Sequence, residues 1–165
     1  MVSHKNMSQH ALVSVYDKTN LGLLCETLEE HNINIISTGL TSLKIKDLGF
    51  KCIEISSLTG MKEVLGGRVK TLHHKIYTSI LFNRNDSKHF SSFKKLQFPK
   101  IDFVIVNLYP FEKYKADKYE ESKTIEMIDI GGPSLLRAAS KNYEYTTPII
   151  KISDYKSLII NIKRN

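Results

Sequence analysis

The 165-residue sequence contains no tryptophan, only two cysteines and only four prolines. Cys25 and Cys52 are too few for a disulfide framework and too far apart for a CxxC pair, so reduced thiols are expected. Long hydrophobic runs are also missing. The apolar run at 103–106 is far too short to span a bilayer, and the polar residues 1–10 lack the apolar core of a signal peptide. These absences argue against a membrane or disulfide-stapled secreted protein and favour a cytoplasmic one.

The charge balance is basic, with 24 Lys and Arg against 17 Asp and Glu, a net charge of +7. A basic excess suits nucleic acid, but here the lysines are scattered and no aromatic residues interleave with them as in a single-strand binding surface. A small phosphorylated ligand accounts for the charge equally well, so no nucleic-acid partner is predicted. No metal is predicted either, because the adjacent His73 and His74 lack zinc-site spacing and no HExxH occurs.

Strand and helix patterns alternate along the chain. Buried strands are predicted at 11–16, 33–36, 52–55, 101–107 and 146–152. Helices are predicted at 21–28, 43–48, 86–96, 134–141 and 154–162. This alternation predicts a three-layer α/β fold, in which a mostly parallel sheet carries helices on both faces. We expect one domain over residues 11–165, preceded by a loose leader at residues 1–10.

Two turns after predicted strands carry hydroxyl and cationic side chains. Ser14 and Lys18 flank the first strand-to-helix turn, and residues 37–41 place two hydroxyl residues and Gly39 after the second strand. Each turn alone is typical of an ordinary helix N-cap. Because helix starts after adjacent parallel strands open on the same edge of the sheet, the two turns together predict a shared phosphate site.

Residues 128–142 combine an acid, a flexible turn and a basic helix. Gly131, Gly132 and a following proline predict a helix start, whose free N–H groups favour a nearby anion. Asp129 precedes the turn, while Arg137 and Lys141 are four residues apart, so one carboxylate and two cations are predicted near a common space. The alternative is a helix start with a solvated basic face.

Two further segments supply candidate groups. Arg68, Lys70 and His73 lie in a glycine-led loop, which could equally be a solvated charge run. Tyr109 follows the strand at 101–107, where its phenol could face a ligand or simply pack in a tight turn. Neither a GxGxxG nor a GxxxxGK[ST] motif occurs, so dinucleotide and P-loop sites are not supported.

These segments resemble motifs of the IMP cyclohydrolase domain found in bifunctional purine-synthesis proteins that also carry an AICAR transformylase. The matching motifs, in the family's order, are residues 12–19, 65–73, 107–111 and 128–142. The resemblance runs from about Ala11 to about Tyr155. It implies a methylglyoxal-synthase-like fold, a homodimer, and closure of formyl-AICAR to IMP with loss of water and without a cofactor. The longer transformylase domain is expected to be absent from these 165 residues.

The resemblance also implies roles for individual residues. It assigns the chemistry to Lys70, Tyr109, Asp129 and Lys141. Our hypothesis is that Lys70 and Tyr109 polarise the formyl oxygen, while Asp129, oriented by Lys141, helps to remove the amide proton. The residues expected to hold the nucleotide are Ser14, Lys18, Thr38, Gly39, Thr41, Arg68, Thr71, Asn107, Gly131 and Gly132.

The sequence departs from the family pattern in two places. Leu40 replaces a second glycine, which predicts a restricted backbone approach to phosphate, and residues 74–79 lack the family's proline, second histidine and glycines. These departures keep open a catalytically silent domain for nucleotide binding or dimerisation. A methylglyoxal synthase or phosphate-sensing domain of the same fold is a further alternative. The residues expected to form a dimer contact are Ile76, Ile80, Leu81 and Phe82.

Overall fold

The computed structural model describes residues 7–114 and 120–164. The strands are β1 (Gln9–Val15), β2 (Ile33–Ser37), β3 (Ile53–Glu54), β4 (Phe103–Asn107) and β5 (Thr147–Ile149). The helices are α1 (Leu21–Glu30), α2 (Gly39–Asp47), α3 (Ile55–Thr59), α4 (His74–Leu81), α5 (Ser87–Lys95), α6 (Phe111–Tyr114), α7 (Glu121–Glu126), α8 (Gly131–Lys141) and α9 (Tyr155–Arg164). The predicted leader lies outside the described residues at 1–6, while Gln9 and His10 already belong to β1.

The five strands form one parallel sheet in the order β3-β2-β1-β4-β5. The central strand β1 pairs with β2 on one side and with β4 on the other, with Val13 opposite both Ser37 and Ile105. Starting from β1, the chain therefore adds β2 and β3 on one side of the sheet and then β4 and β5 on the other side. Ligands of such folds bind outside the carboxyl ends of the strands at this point of reversal.

The core has two layers, one on each face of the sheet. In β1, Ala11 and Val13 contact the layer that contains residues of α1, α2 and α9, whereas Leu12 contacts the layer formed by α4 and α8. Successive side chains of a strand point to opposite faces, so a strand buried on both sides is apolar throughout. The predicted three-layer α/β fold is confirmed. No described helix is long and apolar enough to cross a membrane.

The dimer contact predicted on α4 is wrong. Ile76 and Ile80 are fully buried and Phe82 is 4% exposed, while Leu81 is partly buried against the same core. The apolar positions of α4 are spaced as on one helix face, and that face packs on the sheet instead of meeting solvent. These residues therefore cannot form a contact surface, and a homodimer remains a prediction that would need other residues.

A buried ionic cluster lies at the amino edge of the sheet. Arg84 Nη1 donates to Asp102 Oδ1 at 2.9 Å, and the Lys100 ammonium pairs with the same oxygen. The backbone N–H of His10 donates to Asp102 Oδ2 at 3.0 Å. Burial lowers the pKa of both His10 and Lys100. These groups join the starts of β1 and β4, at the edge of the sheet opposite to the strand ends where ligands bind.

Candidate functional site

A cavity of about 420 Å³ opens at the carboxyl ends of β1 and β4. Its walls are the end of β1, the loop at 66–71, the segment after β4 and the stretch from α7 into α8. The sequence-predicted residues that line it are Ser14, Thr38, Arg68, Lys70, Thr71, Asn107, Tyr109, Asp129, Gly131 and Gly132. The structure thus brings five separate segments of the chain together at the expected edge of the sheet.

Asp129 is fixed at the cavity by the first turn of α8. Its Oδ1 accepts a hydrogen bond from the backbone N–H of Gly132 at 2.8 Å. A Cβ on Gly132 would lie 2.6 Å from Asp129 Oδ2, and a Cβ on Gly131 would lie 2.9 Å from Thr71 Oγ1. The two glycines therefore let a carboxylate and a hydroxyl approach the amino end of α8, where free N–H groups also favour negative charge.

Lys70 reaches the cavity from a tight hairpin. Val64 and Val69 form an isolated antiparallel bridge, and Leu65, Gly66 and Gly67 between them all have positive φ. The Lys70 ammonium pairs with Glu63 Oε2 at 2.9 Å. Its Nζ would lie 3.1 Å from a Cβ on Gly39 and 3.0 Å from a Cβ on Gly67. The ammonium therefore occupies a slot that the two glycines leave open.

Two tyrosines stand together at the strand ends. The rings of Tyr16 and Tyr109 meet edge to face, with centroids 5.5 Å apart, and each residue is slightly more than 40% exposed. Both residues line the cavity. Sequence reasoning missed Tyr16, although it follows β1 directly, as Tyr109 lies just beyond β4. The pairing of Val15 with Asn107 in adjacent parallel strands places the two tyrosines side by side, and the sequence alone does not give that pairing.

Asn107 and Lys18 bind the backbone around the end of β1. The side chain of Asn107 accepts from Asp17 N at 2.9 Å and donates to Asp17 O at 2.8 Å. Lys18 Nζ donates to the carbonyl oxygens of Val15 at 3.4 Å and Tyr16 at 3.1 Å. Asn107 thus orders the turn after β1 while lining the cavity. Lys18 is not part of the wall, but its charge lies directly beside two residues that are.

The family of the chain follows from comparison with known proteins. The model of the MGS-like domain matches residues 21–134. The chain belongs to this family. The bifunctional purine biosynthesis protein PurH of Acetivibrio thermocellus is 43% identical over 158 residues, which are 95% of the chain and 31% of that protein. PurH of Fusobacterium nucleatum is 44% identical over 160 residues, 96% of the chain and 32% of that protein. The chain therefore spans about a third of the length of these relatives.

A solved structure gives the same result at the level of the fold. The crystal structure of ForH superimposes with a TM-score of 0.84 and 29% identity, covering 94% of the chain and 79% of ForH. The resemblance to purine-synthesis proteins expected from the motifs is confirmed, as is the MGS-like fold.

Two predicted nucleotide-binding residues of the second turn, Gly39 and Thr41, do not line the cavity of this MGS-like domain. The buried hydroxyl of Thr41 accepts from Val15 N at 3.2 Å and donates to Val15 O at 2.9 Å, so it binds β1 instead of facing the cavity. The reason is that β2 stops pairing with β1 at Val13, which leaves the end of β1 without a partner strand on that side. Gly39 lies against the Lys70 ammonium and does not itself line the cavity. Leu40 is 75% exposed and does not enter the cavity.

The predicted pairing of Asp129 with Lys141 is not present. Lys141 is the last residue of α8 and is exposed, as is Arg137. Ten residue steps of helix separate it from Gly131, a distance of about 15 Å at 1.5 Å per residue. Among the described residues, α8 lines the cavity only as far as Leu135, and the N–H of Gly132, not an ammonium group, orients Asp129. The shared helix face of Arg137 and Lys141 leads away from the site.

The cavity also has a charged contact that the sequence did not reveal. Arg68 forms a bidentate pair with Glu126, which joins the 65–68 hairpin loop to α7. The hydrogen bond from Arg68 lowers the pKa of Glu126. Both side chains are about half exposed or more. The Arg68 guanidinium therefore lines the cavity but already has an acidic partner with which an anionic ligand would compete.

Proposed function

We propose that this MGS-like domain is an IMP cyclohydrolase, which closes the purine ring of formyl-AICAR to IMP with loss of water. The observation that carries the proposal is the convergence of Lys70, Tyr109 and Asp129 on one cavity. The chain is also similar to proteins named for purine biosynthesis. A cavity of about 420 Å³ suits a small molecule, since such sites usually measure about 300 to 1,000 Å³.

The reaction needs a proton acceptor and hydrogen-bond donors. The carboxamide nitrogen attacks the formyl carbon, a proton leaves that nitrogen, and the former formyl oxygen departs as water. Asp129 is the proposed base, because Gly132 holds one carboxylate oxygen and Oδ2 can face the substrate. Lys70 and Tyr109 are the proposed donors to the formyl oxygen, where negative charge develops. A C–N bond forms, and the C–O bond breaks as a second proton leaves the formamide nitrogen to complete the water. No electrons pass to or from an outside partner, so the proposed reaction calls for no cofactor.

The nucleotide phosphate has several possible partners in the same cavity. Ser14 and Thr38 offer hydroxyls at the ends of β1 and β2, and Arg68 and Thr71 lie on the hairpin side. Lys18 adds positive charge behind the β1 wall. The amino end of α2, which begins directly after Thr38, adds free N–H groups that favour an anion.

The proposal is tested by incubating the chain with formyl-AICAR in the presence of EDTA and following IMP. A saturable rate above the uncatalysed background is expected. If formyl-AICAR persists at high protein concentration while IMP still binds, the domain is a silent nucleotide-binding domain. Rapid release of methylglyoxal from dihydroxyacetone phosphate would instead identify a methylglyoxal synthase.

We also propose that the chain forms a homodimer. The support is a set of exposed apolar side chains near the cavity, including Leu40 at 75% and Leu65 at 73% exposure, with Ile128 and Ile130 about half exposed. Exposed apolar groups of this kind are often buried in an interface. Sedimentation should give twice the mass of the chain at micromolar concentration, and a monomer there would contradict the proposal.

A further inference from the structure

Glu63 and Lys70 face each other as a cross-strand pair. Their strands are joined by the bridge between Val64 and Val69, with N-to-O distances of 3.1 Å and 3.4 Å. The next residues outward on the two strands are Glu63 and Lys70, and residues directly opposite in an antiparallel pair point to the same side. The backbone therefore brings a carboxylate to Lys70, the one lysine among the described residues that line the cavity.

The position of the pair is set by two glycines. A Cβ on Gly67 would lie 2.7 Å from Lys70 Cε and 3.7 Å from Glu63 Oε2, so the pair lies directly over Gly67. On the other side, the ammonium lies against Gly39 at the start of α2. Glu63 itself does not line the cavity, whereas Lys70 does. Glu63 thus contacts the ammonium without being part of the cavity wall, and because a lysine ammonium has three N–H donors, donors remain for a ligand.

We propose that Glu63 is a positioning residue for the cyclohydrolase reaction, which holds the Lys70 ammonium at the cavity wall before substrate arrives. This inference rests on the proposed function of the site. A free lysine side chain has many rotamers, and fixing one of them in advance removes an entropic barrier from the reacting complex. Glu63 acts through Lys70 and touches no substrate.

Because Glu63 and Lys70 are both solvent-accessible, a positioning role of Glu63 can be distinguished by experiment from a role in folding stability. The side chains of Glu63 and Lys70 are 54% and 30% exposed, and ion pairs this accessible contribute little to folding stability. Glu63→Gln should therefore leave the unfolding temperature nearly unchanged. The saturated cyclisation rate should nevertheless fall, by roughly 10- to 100-fold, because a small displacement of a reacting group is costly. Glu63→Asp, which keeps the charge, should recover part of the loss.

The decisive experiment is a double-mutant cycle with Lys70→Met, which removes the ammonium and keeps most of the unbranched side chain. In the Lys70→Met background, Glu63→Gln should have no further effect on the saturated rate. Glu30→Gln is the matched control, since Glu30 pairs with Lys163 at 3.5 Å at the far end of α1. It should leave the rate unchanged. An equal fold-loss from Glu63→Gln with and without Lys70 would overturn the proposal.

Calorimetry then gives the affinity for IMP of the four proteins in the same cycle: wild type, the two single variants and the double variant. If the wild-type chain does not turn over formyl-AICAR, the proposed function fails, and coupling between Glu63 and Lys70 in IMP binding still decides whether the pair acts at the site. Additive effects of the two substitutions on IMP affinity would then overturn the inference. Tighter IMP binding by Glu63→Gln would also overturn it, because Glu63 would then compete with the ligand.

Discussion

The carboxylate of Asp129 contacts the backbone of Gly132, and the contact exists only because Gly132 has no side chain. Oδ1 accepts from the Gly132 N–H at 2.8 Å, while Oδ2 lies 2.6 Å from the place that a Cβ would occupy. Leu108 Cδ2 lies 2.8 Å from the same place. The first turn of α8, the proposed base and the segment after β4 are thus packed around one glycine.

Gly132→Ala should disturb this arrangement without straining the backbone, because Gly132 is not among the positive-φ glycines. The added methyl group should displace Asp129 or Leu108 and lower the free energy of unfolding by about 1 to 3 kcal/mol, as overpacking does. The free energy of unfolding measured by urea denaturation and the saturated cyclisation rate should both fall. Gly22→Ala in α1 is the control, since its nearest neighbour would be 4.0 Å away. A Gly132→Ala variant with the stability and the rate of wild type would contradict the close packing of Asp129 and Leu108 around Gly132.

Thr41→Val should destabilise the fold more than it weakens ligand binding. The substitution removes the hydroxyl that bonds both Val15 N and Val15 O, leaving a buried N–H unpaired. The expected loss is about 1 to 3 kcal/mol of unfolding free energy in urea. Thr41→Ser keeps the hydroxyl and should lose less. A Thr41→Val variant with wild-type stability and weak IMP binding would show that the hydroxyl serves the ligand.

Lys18→Ala should weaken nucleotide binding while turnover at saturation survives. The ammonium lies next to Val15 and Tyr16 at the end of β1, near the proposed phosphate. Losing this cation beside the cavity wall should weaken IMP binding by less than the about 1.5 to 3 kcal/mol of a direct charge-assisted contact, as measured by calorimetry. Lys51→Ala, which removes an equal charge before β3, should have no such effect. A lost saturated rate with unchanged affinity would place Lys18 in the chemistry.

The stability of the fold should decrease at mildly acidic pH because of His10. Burial holds the pKa of His10 below its ordinary value of 6.5, with Asp102 raising it and Lys100 lowering it. As the pH falls, His10 is therefore protonated in the unfolded chain before it is protonated in the folded chain. The contribution of His10 is complete above about pH 6.5 and is lost as the pH falls toward the folded-state pKa.

This pH effect is measured by urea denaturation of wild type and His10→Gln between about pH 7.5 and about pH 5.5. The hydrogen bond from His10 N to Asp102 involves the backbone and should survive the substitution. Wild type should lose more stability than His10→Gln over this range. Parallel pH profiles of the two proteins would contradict the assignment.

The fold was largely predictable because strands buried on both faces have continuous apolar runs, as in β1 and β4. The order of the strands in the sheet was not predictable, because the hydrophobic periodicity of a strand does not show which other strand it pairs with. The contact on α4 was misjudged for a related reason. An apolar helix face looks the same in the sequence whether it packs on the sheet or on another chain, and the positions of Ile76 and Ile80 are fully buried.

The site was predictable where residues lie at the carboxyl ends of strands or begin helices, as with Ser14, Asn107 and Gly132. The spacing of Arg137 and Lys141 correctly predicts a shared helix face, but it cannot give the direction of the helix axis, which runs away from the cavity. The Glu63 contact was missed because it depends on a hairpin with three successive positive-φ residues. One of them is Leu65, and because leucine rarely adopts a positive φ, its presence in the sequence does not predict such a turn.

The central claim is tested most directly by the saturated cyclisation rates of wild type and Asp129→Asn, measured alongside IMP affinity. Asparagine keeps the size of the side chain and an oxygen for the Gly132 N–H, but it cannot accept the amide proton. Loss of a general base should lower the rate by roughly 100-fold or more, with little change in IMP affinity. Wild type without turnover above background, or an Asp129→Asn variant as fast as wild type, would contradict the account.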